Sequence, residues 1–180
     1  MLVGTREVDR ALGQTWALEN DVRGSAFFSE CGNFRPYLSR RWAQGPMIMW
    51  LCMNPSSATD EVDDATSRKL TRHSRQLPFA FGGLFLLNVM DFRTTDPRHL
   101  PEGNETSPRN QRYIRKFASL SNTIVLAYGR LQNNPVWLAH AGNAVEACGD
   151  RAFQCVARNV DRSPRHPRRF PQHVGLLEFD

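Results

Sequence analysis

The chain has 180 residues, a net charge of +5, and 41% hydrophobic and 23% charged residues, the proportions of a soluble globular domain long enough to bury one core. No apolar run approaches the roughly 20 residues that cross a bilayer. The first residues, MLVGTREVDRALGQ, lack the apolar core of a leader, so a cytoplasmic location is expected. The basic excess is almost wholly arginine, Lys69 and Lys116 being the only lysines. A planar guanidinium suits phosphate and base edges, which favours nucleic acid as a partner, although a genome-wide composition bias gives the same arginine usage.

Taken in chain order, SAFFSECGNFRPYLSRRW mixes aromatic and basic residues around a Gly-Asn turn and reads as an edge hairpin; residues 1–41 are expected to be peripheral. MIMWLCMNP (Met47 to Pro55) is an apolar strand stopped by Asn-Pro. SSATDEVDDATSRKLTRHSRQL supplies turn and cap residues and then a basic helical segment, and GLFLLNV is a second strand. SPRNQRYIRKFASLS places Ile114, Phe117, Ala118 and Leu120 at helical spacing behind Ser107-Pro108. TIVLAYG (Thr123 to Gly129) is a third strand, WLAHAGNAVEACG another helix and FQCVARNV a fourth strand, followed by the Arg- and Pro-rich DRSPRHPRRFP. Strands alternating with helices predict a single α/β domain over residues 1–180 with a mainly parallel sheet. Cys31, Cys52, Cys148 and Cys155 form no close C-x-x-C pair, so they read as reduced structural thiols, and no metal or other cofactor is expected.

Ligands of such sheets bind beyond the carboxyl ends of the strands. Those ends carry Asn54-Pro55-Ser56, Asn88 to Arg93, Tyr128-Gly129-Arg130 and RNVDRSPRHPRRF. Each has a structural and a functional reading. Asn54-Pro55 starts a turn, or Asn54 positions a water. Asn88, an amide at the end of an apolar strand, satisfies neighbouring backbone groups or reads the edge of a base through its donor and acceptor. His166 is an exposed loop residue or a hydrogen-bond donor to a leaving group. Arg93, Arg165, Arg168 and Arg169 form a solvated face or bind phosphates. Asp60, Asp63 and Asp64 solvate a loop and cap a helix, select an amino- or hydroxymethyl-bearing base, or hold a divalent ion.

The ordered pattern NPSSATDEVDDAT, N-x-x-D-x-R-x-T-x-P, VLAYG and SPRHP resembles an uncharacterised bacterial and phage domain family over about Trp42 to Phe170. The same stations are similar to the uracil-DNA glycosylase superfamily. That superfamily has a strand-to-turn motif with a proline, here M-N-P; an apolar run ending in asparagine, here GLFLLN; a strand ending near glycine, here LAYG; and a His-Pro loop, here Arg165-His166-Pro167. Ser56 stands where the first motif has glycine, Arg168 where the last has serine, and the acidic DEVDDAT insertion is foreign to the glycosylases.

The resemblance implies a three-layer α/β/α domain that flips a nucleotide out of DNA and hydrolyses the N-glycosidic bond of a uracil-like or 5-modified pyrimidine. Asn54 and His166 would be catalytic, and Asn88 and Ser56 would contact the base; Asp64, in the acidic insertion, is a candidate base contact by its own carboxylate rather than by the resemblance. Arg93, Arg165, Arg168 and Arg169 would contact DNA, with no metal, no membrane and no obligate protein partner. Two alternatives remain open at this level: a non-catalytic reader of modified DNA or nucleotides, and a nucleotide-processing hydrolase that uses the acidic loop.

Overall fold

The computed structural model describes residues 14–170 and 174–180. Residues 1–13, the start of the segment expected to be peripheral, lie outside it. The nine strands among the described residues are β1 (Trp16–Ala17), β2 (Arg23–Phe27), β3 (Tyr37–Arg41), β4 (Met47–Cys52), β5 (Val62–Asp63), β6 (Gly83–Asn88), β7 (Thr123–Leu126), β8 (Phe153–Cys155) and β9 (Leu177–Phe179). The helices among the described residues are α1 (Ala65–Gln76), α2 (Asn110–Ser119) and α3 (Pro135–Ala147).

Seven strands form one sheet in the order β2-β3-β6-β4-β7-β8-β9, and β1 pairs with β5 separately. The inner strands β6, β4, β7 and β8 are mutually parallel, whereas the β2–β3, β3–β6 and β8–β9 pairings are antiparallel. The sheet is therefore mixed rather than mainly parallel as expected. The reason is chain length: only residues 42–46 separate β3 from β4, too few for the crossover that a parallel strand needs. The chain reverses instead, and β6 later enters between the two. The β2–β3 hairpin thus extends the sheet at its edge.

β4 is buried along its whole length, as a central strand covered on both faces must be. Its alternating side chains feed two cores. Met49 and Leu51 pack with Ile114 and Phe117 of α2 and with Trp137 and Ala141 of α3. Ile48, Trp50 and Cys52 pack with Leu70 of α1 and with Phe170. The fold is α/β, with α1 on one face of the sheet and α2 and α3 on the other. Trp50 donates its indole N–H to Ser74 Oγ at 2.9 Å, which satisfies a buried donor and fixes α1 on the sheet. Among the described residues, no helix is long and apolar enough to cross a membrane.

Candidate functional site

The carboxyl ends of the four parallel strands surround a cleft of about 560 Å³. Asn54 and Ser56 follow β4, Thr94 and Thr95 follow β6, and Tyr128 to Asn133 follow β7. Asn159, His166, Arg168 and Arg169 arrive after β8, and Thr66 comes from the first turn of α1. The Arg- and Pro-rich segment is thus a loop over the site. It is internally braced: Asn159 Nδ2 donates to Ser163 Oγ and to Pro164 O, and Arg165 N donates to Ala157 O.

Asn54 is fixed by its nitrogen. Nδ2 donates to Pro55 O at 3.1 Å and to Thr94 O at 2.7 Å, stapling the β4 loop to the β6 loop. With both amide hydrogens engaged by carbonyls, Oδ1 is the atom left to accept a hydrogen bond from something in the cleft. A fixed neutral acceptor can orient a water molecule. It cannot remove a proton outright.

His166 is fixed through its other partner. Its Nδ1 accepts from the Arg168 N–H at 3.2 Å and caps the turn Pro167–Arg169. In the neutral ring the proton must then sit on Nε2, which makes that nitrogen a donor. Burial, followed by the charges of Arg168, Arg169 and Lys69, lowers the pKa of His166 from 6.5 to about 4. The imidazole therefore stays neutral through the physiological range. Gly129 makes the close approach possible: its φ is +82°, and a Cβ added there would lie 3.2 Å from His166 Cβ.

A depressed histidine pKa has a consequence for stability. The neutral side chain favours the folded state, so its contribution is complete above pH 6.5 and is lost as pH falls towards about 4. Urea unfolding between pH 7 and 4 should lose on the order of 2 kcal/mol through this group, allowing for its partial exposure. His166→Gln should flatten that part of the profile. An unchanged slope in the variant would show that His166 titrates normally.

The turn after β7 is the feature that sequence reasoning missed. Leu131, Gln132 and Asn133 have φ of 51°, 51° and 55°, three successive left-handed residues without a glycine. Each such residue costs roughly 1–2 kcal/mol, so the turn has to be held by its surroundings. Leu131 is buried in the core, Asn134 N donates to Leu131 O, and Asn134 caps α3 through Val136 N and Trp137 N. The outcome is that Gln132 and Asn133, both exposed, line the cleft. The sequence NNP offers only a faint sign, since asparagine tolerates this conformation and proline starts a helix.

The structure brings Asn54, Ser56, His166, Arg168 and Arg169 to one cleft and leaves four other candidates outside its lining. Asn88 is 1% exposed, on the same face of β6 as Leu84 and Leu86, and its amide has no hydrogen-bond partner among the described residues. Asp64 is the N-cap of α1: its Oδ1 accepts from Ser67 N at 2.8 Å while Ser67 Oγ accepts from Asp64 N. Arg93 ties loops together, donating to Gly32 O and Ser56 O with its guanidinium 4.7 Å from the Phe28 ring centre. Arg165 is half-buried in the same loop that presents Arg168, its backbone N–H donating to Ala157 O.

A family model described as "Protein of unknown function (DUF1643)" matches residues 35–168. The chain belongs to this family. The DUF1643 region runs from the approach to β3 to the turn after His166, and so takes in every residue lining the cleft except Arg169. No curated protein and no solved structure matches the chain.

Proposed function

We propose that the cleft takes a nucleotide flipped out of DNA and hydrolyses its N-glycosidic bond, the base being uracil-like or a 5-modified pyrimidine. The observation that carries the reading is the pairing, in one cleft, of a fixed Asn54 acceptor with a neutral His166 whose free nitrogen is a donor. Breaking the C1′–N bond leaves positive charge on the sugar and negative charge on the departing base. A neutral N–H at the base oxygen stabilises that charge without first having to shed its own proton. Asn54 Oδ1 would hold the water that adds to C1′, and the proton lost from that water ends on the base. The three layers, with ligand groups at the ends of parallel strands, support a likeness to uracil-DNA glycosylases, as do the motif stations.

Asn88 enters this reading only if a base reaches below the present lining of the cleft. Besides Asn54, the amides already there are Gln132, Asn133 and Asn159. Duplexes carrying uracil, mismatched thymine or 5-substituted pyrimidines, incubated with the protein and treated with alkali, should break at the modified base. A panel that yields no break would defeat the catalytic reading.

A second reading has its own support. Among the described residues no aspartate or glutamate lines the cleft, and with no carboxylate base among them a reader that binds without cleaving fits the same geometry. A mobility shift without breaks is its signature. The acidic-loop hydrolase has less in its favour, since Asp63 is paired with Arg40 and Asp64 caps α1.

Either reading needs a grip on phosphates. Arg168 and Arg169 are exposed at the cleft rim beside Arg130, itself paired with Asp161 at 2.8 Å. Arg168→Ala and Arg169→Ala should each reduce the slope of log affinity against log salt by roughly 0.9 if each contacts one phosphate. Affinity should weaken alike for all sequences. Arg165→Ala, away from the lining, should change the slope little. Equal slopes in all variants would show that the loop is only a solvated face.

A further inference from the structure

A second cavity, of about 310 Å³, lies between the start of α2 and the middle of α3 and shares no lining residue with the cleft. Its polar wall includes Asn110, Gln111, His140 and Asn143, and its apolar wall includes Ile114 and Ala144. Asn110 is 2% exposed, and its Nδ2 donates to Asn88 O at 3.0 Å and Val89 O at 3.3 Å. Those two bonds fix the amide and leave Oδ1 as a buried acceptor with no donor among the described residues. His140 Nε2 is also buried without a hydrogen bond, 3.5 Å from Glu105 Oε2. No side chain caps α2. The N–H groups of Asn110 and Tyr113 reach Ser107 O and Arg109 O, which leaves those of Gln111 and Arg112 as donors at the positive end of the helix.

We infer that this cavity binds a neutral hydroxylated ligand, a sugar ring or a polyol of similar size. The choice follows from the atoms left without partners. A cation is disfavoured by the helix N-terminus. A phosphate dianion or a carboxylate would accept from the helix N–H groups, yet it would set a second acceptor against Asn110 Oδ1 and a second negative charge near Glu105. A hydroxyl donates to Asn110 Oδ1 and accepts from a helix N–H through one oxygen. The cavity has room for roughly ten waters at their liquid volume, more than these few groups can order, and Ile114 and Ala144 offer an apolar surface to the C–H face of a ring. The sugar is either free or an RNA ribose, whose 2′-hydroxyl both donates and accepts. This inference does not depend on the glycosylase reading.

Amide and side-chain NH₂ spectra of the full chain, titrated separately with D-glucose, D-ribose and a short single-stranded RNA, test it. Saturable shifts should centre on Asn110, Gln111, His140 and Asn143. Response to the free sugars marks a free ligand, and response to RNA alone at these residues marks a nucleic-acid ribose. Gln111→Ala and Asn143→Ala, both at exposed positions, should each weaken binding at least five-fold with the melting temperature unchanged. Should Asn110→Ala fail to fold, those two variants decide. Three results would overturn the inference: no saturable shift with any of the three probes, a stronger response to inorganic phosphate at the same residues, or binding that survives both exposed substitutions.

Discussion

His166→Ala and Asn54→Ala should each slow single-turnover base excision by about 10²-fold or more, the usual loss when one positioned catalytic group is removed. In the proposed mechanism the two residues act on opposite sides of the glycosidic bond, so the variants should fail differently. His166→Ala removes the donor to the leaving base and also the cap on the turn that carries Arg168 and Arg169, so DNA affinity should fall modestly along with the rate. Asn54→Ala removes the water acceptor and the staple to Thr94 O, leaving the arginines untouched and affinity close to wild type. Asn54→Asp should do no better than alanine, because a carboxylate would face the Pro55 and Thr94 carbonyls where an NH₂ now donates. The double variant should lose less than the product of the single losses if both groups serve one transition state. Quench-flow or manual-quench measurement of abasic-site formation reads all of this. Wild-type rates in both folded single variants would defeat the mechanism.

The strands were legible because their signal is local. MIMWLC, GLFLLN and TIVL are short apolar runs closed by turn residues, and each became a strand of the sheet. The sequence runs reached further than the strands do, to Pro55 and Gly129, because their last residues leave the sheet to line the cleft. Asn54 and His166 were found as candidates because strand ends converge in any such sheet, so a rule about topology stood in for coordinates. The hairpin β2–β3 defeated the expectation of a mainly parallel sheet, since its place beside β6 depends on a contact between segments far apart in the chain. The role of Arg93 was hidden for the same reason. The carbonyls that engage Arg93 belong to Gly32 and Ser56, and nothing near Arg93 in sequence indicates them. Asp64 is the opposite case: D-A-T-S before a helical segment spells a cap, and the capping reading describes where its carboxylate is spent.

The acidic loop is held by buried charge, and Asp63→Ala should be among the most destabilising single changes in the molecule. Arg40 and Asp63 form an ion pair at 2.9 Å with both side chains buried. The Arg40 guanidinium also donates to Thr59 O, Val62 O and Ser39 O. Arg35, 1% exposed and with its pKa pushed down by burial to about 10, donates to Ala58 O at 2.7 Å on the same segment. Two buried arginines therefore clamp residues 58–63, and Gly24 permits it, since a Cβ there would lie 1.9 Å from Asp60 O and 2.8 Å from Arg40 Nη1. Removing Asp63 strands a buried guanidinium, at a cost of about 3–5 kcal/mol, which for a domain of this size lowers the melting temperature by roughly 6–20 °C. Asp64→Ala loses the helix cap, worth about 1 kcal/mol, and also the acceptor for Ala58 N and the carboxylate that faces the buried Arg35, so it should cost more than a cap alone. Replacing the pair together, as Arg40→Met with Asp63→Leu, should recover most of the loss, because neither charge is then left alone. Calorimetry on the four proteins makes the comparison. A loss under about 1 kcal/mol in Asp63→Ala would mean that Arg40 does not depend on this carboxylate, and the acidic loop would return as a candidate ligand for a substrate amine or a divalent ion.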